Sequence, residues 1–490
     1  VVEAFNRRPG LHRQEGAEFQ PAAWFTTTAL QPQGTTLGRP IVITWNIVPD
    51  GTSVDGFAGE AAAPSNLRQR LDAIYGSSAV WMPIFQGVFD RWQSLSGARF
   101  VFEPADDGAP LVYANGVAGV RADIRIAGHT IDGNFGILAY NFFPDEADMV
   151  IDTGDDFFAD TAGLSIRLRN VIAHELGHAL GMDHVCPIEQ TKLLEPYYSA
   201  AFDGPRHDDA RHAQYLYGDA QEPDDDAAHA FDAGSLSRPG SALLGPAAPP
   251  PGPNISTRSL ATVYDQDFVR FTLDGPAIVA AVAAPAGLTY DDSPQSCPEG
   301  LGFCCQGHPT DSQRQVRLRV RVWSGDGTRM LATGDAPVIG ASASVEELLL
   351  PGAGTYLVSI SGAGGVGMAQ MYTLALQARP ACPADFNRDG FVNLDDLGDF
   401  ITDFYLSPPT PGGLQVMAGQ YPDQIVGFQA ACPDAPDAPA PFDPDAYRRF
   451  GYRVGFSPDG LNACPLSPDA AFPNLDNLGD YITLYYAQGC

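Results

Sequence analysis

Lysine is almost missing from this chain of 490 residues: Lys192 is the single copy. Lys and Arg together number 28 against 59 Asp and Glu, a formal net charge of −31. With no basic stripe to neutralise phosphates, nucleic acid and anionic membrane surfaces are excluded as electrostatic partners. No apolar run approaches the roughly 20 residues that cross a bilayer. The best, residues 278–284, is short and closes at Pro285, so a chain that does not span a membrane is expected. No signal peptide opens at Val1, and the chain is therefore expected to be already processed or trimmed. C-x-x-C spacing is lacking as well. The eight cysteines (Cys186, Cys297, Cys304, Cys305, Cys382, Cys432, Cys464 and Cys490) suit disulfides in an oxidising compartment better than a thiolate metal site. Their pairing stays open.

What the chain does contain is His174-Glu175-Leu176-Gly177-His178-Ala179-Leu180-Gly181-Met182-Asp183-His184, an H-E-x-x-H-x-x-G-x-x-H run. On a helix His174 and His178 stand one turn apart on one face, so both imidazoles reach one metal. Glu175, offset by one residue, can work on a water at that metal without taking a ligand position. Gly181 can end the helix in a left-handed conformation and turn the chain so that His184 adds a third nitrogen. Three protein ligands leave a fourth tetrahedral position open, as in a catalytic zinc site. Cys186, just past the third histidine, reads as a disulfide or a buried thiol.

The length leaves room for roughly two to four domains. In residues 1–218 a strand is expected at 41–48, rich in β-branched residues and stopped by Pro49-Asp50-Gly51. Apolar residues Ile84, Phe85, Val88, Phe89, Trp92 and Leu95 recur at helical spacing over 82–95. Further strands are expected at 100–102, 123–126, 137–143 and 149–151. Helices are expected at 165–180, carrying the first two histidines, and at 208–217.

Beyond the histidines, Leu138-Ala139-Tyr140-Asn141-Phe142-Phe143-Pro144 and Asp208-Asp209-Ala210-Arg211-His212-Ala213-Gln214-Tyr215-Leu216-Tyr217-Gly218 make this region resemble the catalytic domain of matrixin-type metzincins. The resemblance implies a zinc endopeptidase acting on polypeptides, with His174, His178 and His184 as zinc ligands and Glu175 as general base. It implies that substrate lies extended along the edge strand, touching Leu138 and Ala139. It places Leu194 where the family has a methionine beneath the metal. Asp183 is expected to orient the site or to cap the helix end, and Leu194, Pro196, Tyr197 and Tyr198 to wall the specificity pocket. The family's structural zinc is expected to be absent. His129 and Asp132 resemble the start of that site, but Tyr140 and Val150 stand where its later histidines would fall. Asp152 and Asp155 resemble the family's calcium-binding turn, with a solvated loop as the equal alternative.

Residues 219–378 open on Glu222-Pro223-Asp224-Asp225-Asp226 and then read as all-β, with strands at 267–271, 316–322, 356–360 and 372–376. The runs 265–271 and 352–358 resemble the β-sandwich found C-terminal to many bacterial secreted peptidases. Residues 291–310, with three cysteines, read as a stapled loop. In residues 379–490 the run 394–402 returns as 475–483, each copy following a Cys-Pro. The first is preceded by D-x-N-x-D-G-x-V-N-x-x-D, which places oxygen ligands at Asp385, Asn387, Asp389, the Phe391 carbonyl, Asn393 and Asp396. This resembles a dockerin-type module, a relative of the EF-hand, with its second repeat degenerate; it implies bound calcium and a cohesin-like or cell-surface partner. The expectation is a multidomain chain: an α+β catalytic domain with a mixed twisted sheet and long helices, an all-β sandwich, and a small α-helical calcium-binding repeat module. A secreted or cell-surface bacterial zinc endopeptidase follows. The alternative is an inactive attachment protein that retains a metal site.

Overall fold

The computed structural model describes residues 2–5, 24, 27, 37–111, 115–246, 255–295, 307–365 and 368–381. The calcium-loop residues Asp385, Asn387, Asp389, Phe391, Asn393 and Asp396, the repeat that follows, and every cysteine but Cys186 lie outside them.

A six-stranded sheet positions the histidine motif. Its strands are β1 (Val2–Phe5), β2 (Ile41–Ile47), β3 (Ala98–Phe102), β4 (Ile124–His129), β5 (Ala139–Phe142) and β6 (Met149–Asp152), in the spatial order β1-β5-β6-β4-β2-β3. Strands β6, β4, β2 and β3 run parallel, and β5 is antiparallel to β6. Helices α1 (Leu67–Tyr75), α2 (Ser78–Gln93), α3 (Ala162–Ala179) and α4 (His207–Tyr217) accompany the sheet. Helix α2 buries Trp81, Phe85, Val88, Phe89 and Trp92, a stripe that recurs every three to four residues. Phe89 stacks on Trp45 of β2 with centroids 4.1 Å apart, and the Trp92 indole N–H donates to the Ala173 carbonyl of α3 at 3.1 Å. Helix and sheet therefore share one core, and α3 is gripped through its carbonyls as well as its side chains.

Two expectations need correction here. Strand β5 is not an edge. Its outer side is paired in parallel with β1, in the register Val2↔Ala139 through Phe5↔Phe142, so the backbone groups an extended ligand would use are already bonded. Secondly, residues 291–310 do not read throughout as a loop. β12 (Thr289–Pro294) and β13 (His308–Asp311) form an antiparallel pair, and β12 also pairs with β7 (Val185–Cys186), directly after the third histidine. Helix α1 was not foreseen because its buried residues are only Leu67 and Leu71, a single helical repeat.

The remaining strands form two five-stranded sheets. One holds β8 (Phe231–Leu236), β10 (Gln266–Leu273), β17 (Gly354–Gly365), β14 (Val316–Ser324) and β15 (Met330–Asp335). The other holds β9 (Gly240–Leu244), β18 (Gln370–Pro380), β11 (Ala277–Pro285) and β16 (Ala343–Leu350), with Ser259–Leu260 added beside β18. Alternating residues of β14 (Val316, Leu318, Val320, Val322) meet Val279, Ala281 and Leu374 from the facing sheet in one apolar core. Among the described residues no helix is long and apolar enough to cross a membrane.

Candidate metal centre

The motif's helix opens late. Gly163, Leu164 and Ser165 hold left-handed dihedrals inside α3, so the regular turns begin after Ser165, close to where apolar spacing placed them. From Asn170 to Ala179 every residue is buried. Gly181 takes φ +98°, a conformation costly for any residue with a Cβ, and the chain reverses there. The Gly181 N–H donates to the His178 carbonyl at 2.8 Å and the Met182 N–H to Gly177 at 3.1 Å. That turn delivers His184.

The three imidazoles then converge. Nε2 of His174 lies 3.0 Å from Nε2 of His178 and 3.1 Å from Nε2 of His184, and the last two are 3.2 Å apart. Every Nδ1 faces an oxygen: Leu193 O at 2.6 Å for His174, Met182 O at 2.8 Å for His178, and Gln295 Oε1 at 2.6 Å for His184. Each Nδ1 therefore carries the proton, and each Nε2 turns a lone pair to the common point. Burial, reinforced by the neighbouring imidazoles, holds His174 and His178 well below the ordinary histidine pKa; burial lowers His184 as well. Three neutral nitrogen donors in so small a space suit a single zinc ion. Glu175, next to His174 on the helix, is fully buried.

Leu194 lies under the helix. A Cβ on Gly177 would come within 2.8 Å of Leu194 Cδ2, so glycine between the first two histidines lets the leucine close against the backbone. Asp209 fixes this floor by accepting the N–H groups of Leu193 at 2.9 Å, Leu194 at 3.1 Å and Arg206 at 2.7 Å. Burial, with Asp208 beside it, pushes its carboxyl up to about 6. The sequence offered no sign of this role beyond an acidic pair opening α4. Asp183 accepts the backbone N–H of His184 at 2.8 Å, fastening the loop that carries the third ligand.

A cavity of about 10 Å³ beside His174, near the space of one water, is lined by Asn170, Val171, Leu193, Tyr198, Ser199 and Phe202. Of the residues expected around the specificity pocket, Tyr198 lines this cavity. Leu194 and Pro196 are buried elsewhere, and Tyr197 is 43% exposed. Asn170 shapes this wall by donating to the carbonyls of Ser199 at 2.9 Å and Phe202 at 2.8 Å. Leu138 and Ala139 are buried, and Ala139 is already paired with Val2.

The other candidate ligands also make hydrogen bonds. Nε2 of His129 stands 3.3 Å from Glu60 Oε1, which also accepts the Tyr140 hydroxyl at 3.0 Å. Asp132 accepts the Ile137 N–H. Asp152 accepts backbone N–H groups of Ile131, Asp132, Gly133 and Gly154, while Asp155 accepts those of Phe135 and Phe157. These carboxylates close the 130–157 loop through hydrogen bonds. Cys186 is buried and disulfide-bonded, which removes it from the ligand set.

Further acids, read from sequence only as an acidic opening, gather where residues 219–225 meet β10. Glu222, Asp224 and Asp267 place carboxylate oxygens within 4.8 Å of one another, as do Glu222, Asp225 and Asp265. Arg258 donates to Asp224 at 2.6 Å. Burial and mutual repulsion raise Glu222 to about 9 and Asp224 to about 7.

Comparison with known proteins agrees with the geometry. Karilysin of Tannerella forsythia is 32% identical over 112 residues, 20% of this chain and 23% of its own length. Metalloendoproteinase 4-MMP of Arabidopsis thaliana is 29% identical over 113 residues, 21% of this chain and 29% of its own. Matrix metalloproteinase-9 of Canis lupus familiaris reaches 46% over 67 residues, 14% of this chain and 9% of its own. The chain thus spans less than a third of the length of each of these three relatives. Residues 80–218, from α2 through the histidines to the end of α4, match the matrixin family, and the chain carries a matrixin domain there.

Proposed function

We propose that this chain is a secreted zinc-dependent endopeptidase whose active part lies within residues 1–218. The observation that carries the reading is the convergence of three neutral Nε2 atoms, with Glu175 buried next to the first of them. Zinc held by His174, His178 and His184 supplies a Lewis acid for a scissile carbonyl and acidifies water. The chain's own residues do the rest. Glu175 takes the proton of the attacking water and hands it to the departing amine. The acceptors on each Nδ1 keep the imidazoles in the tautomer that presents Nε2. β5 is the lane for substrate backbone once β1 leaves it. Residues 219–378 are proposed as an accessory sandwich. Residues 379–490 are proposed to bind calcium through Asp385, Asn387, Asp389, Phe391, Asn393 and Asp396 and to dock on a cohesin-like or cell-surface partner.

The test is cleavage of an unstructured protein such as casein, with and without a zinc chelator, alongside metal content. About one zinc per chain and chelator-sensitive cutting are expected. Glu175→Ala should retain the zinc and lose about 10²–10⁴ in rate. Undiminished cutting by that variant would overturn the mechanism. Zinc without cutting in the unaltered chain would favour the attachment reading.

A further inference from the structure

The oxygen facing the third histidine comes from far along the chain. His174 and His178 use the backbone carbonyls of Leu193 and Met182, 19 and 4 residues away. His184 uses a side chain 111 residues away, Gln295 Oε1, at 2.6 Å. Register explains how it arrives. β12 runs antiparallel to β7 with Ser293 opposite Cys186 and Pro294 opposite Val185, so the next step of the ladder sets Gln295 opposite His184.

The strand that delivers it is clamped to α4. Arg211 donates to the Tyr290 hydroxyl at 3.0 Å, and His207 Nε2 lies 2.8 Å from Ser312 Oγ, just past β13. Asp292 brings a carboxylate oxygen within 4.8 Å of ligand atoms on Asp208 and His212. Arg211 also donates to the Ala369 carbonyl at 3.0 Å, at the entry to β18. Tyr290 and Asp292 thus set one face of the strand against α4, and Gln295 follows it directly.

We propose that Gln295 is a positioning residue for the metal centre. Its amide oxygen holds His184 as the Nδ1–H tautomer with Nε2 aimed at the ion, so the strand pair beyond the matrixin region completes the zinc site. The side chain touches neither substrate nor metal; it acts through the ligand, where such partners are worth about 10–100-fold in metal affinity. The inference rests on the reading that the three histidines hold zinc.

The experiment uses the full chain and its Gln295→Leu and Gln295→Glu variants. Zinc affinity is read by competition with a chromophoric chelator, and cobalt replacement reports ligand geometry through its visible spectrum. Melting of the metal-free forms checks the fold. Gln295→Leu should bind zinc about 10–100-fold more weakly, with an altered cobalt spectrum and an unchanged metal-free melt. Gln295→Glu, which retains an acceptor, should bind at least as tightly as the unaltered chain. Zinc affinity unchanged by the leucine, or weakened equally by the glutamate, overturns the proposal. Should Gln295→Leu melt early without metal, the glutamate variant alone decides. Failure of the unaltered chain to bind zinc would be failure of the underlying reading, a separate result.

Discussion

Glycine at position 177 shows how a single residue sets the depth of the metal centre. Its missing side chain lets Leu194 lie 2.8 Å from where a Cβ would stand, directly under the turn that joins His174 and His178. Gly177→Ala gains about 1 kcal/mol of helix propensity and meets about 1–3 kcal/mol of overpacking, because the buried Leu194 side chain occupies the space the new methyl would take. A net loss is expected, read as a lower denaturation midpoint. In a Leu194→Ala background the same alanine should become stabilising, because the obstruction has gone. Identical costs in both backgrounds would show that the two residues do not meet. Leu194, which the resemblance places where matrixin-type metzincins have a methionine, thus packs here against Gly177.

At the scale of elements, β1 and α4 matter most. A peptide that pairs its backbone with β5 competes with β1 for the same hydrogen-bonding groups. Deleting residues 1–5 should therefore lower KM for an extended peptide with little change in kcat, and steady-state kinetics on the shortened chain checks it. Unchanged KM would mean that substrate takes another lane. Helix α4 carries His212, whose Nδ1 stands 3.3 Å from Asp208, with Arg211 and Asp292 also facing it. Burial opposes its charge, but the Asp208 carboxylate prevails and the pKa rises to about 9. A folded value above the unfolded one stabilises fully below about pH 6.5 and is lost as pH rises through about 9. The melting temperature of the unaltered protein should therefore fall between pH 7 and 9.5, and His212→Gln should flatten that fall. Parallel curves would remove the pair from the account.

For the whole molecule, charge and interface dominate. Helix α4 is pressed between the histidine-bearing part and the two-sheet part: Gln214 donates to the carbonyls of both Leu95 and Ser256 at 2.7 and 2.8 Å, while Arg211 reaches Tyr290. Buried polar bonds of this kind are costly to leave unmade, so the two parts should unfold together. Calcium belongs to this scale as well. Asp385→Ala combined with Asp389→Ala should abolish any calcium-dependent rise in melting temperature that the D-x-N-x-D-G run confers. An undiminished calcium response would move the ion elsewhere in this acidic chain.

Much of the site was legible in the residues themselves. His174, Glu175, His178, Gly181 and His184 act through helical spacing and one left-handed turn, and these are properties of any chain with that pattern. The helix at 165–180 and the alternating strand at 316–322 could be read because burial of one face leaves a period in the sequence. Contacts between distant segments leave no period. Nothing about Gln295 marks it as the partner of a histidine 111 residues away. Nor does Asp209 announce that it holds up Leu193 and Leu194, or β1 that it covers β5. The sequence alone determined which atoms would meet a metal, because local geometry dictates that. Tertiary structure decided what surrounds them (the floor, the occupied strand, the third acceptor), because those depend on how separate elements pack and register against one another.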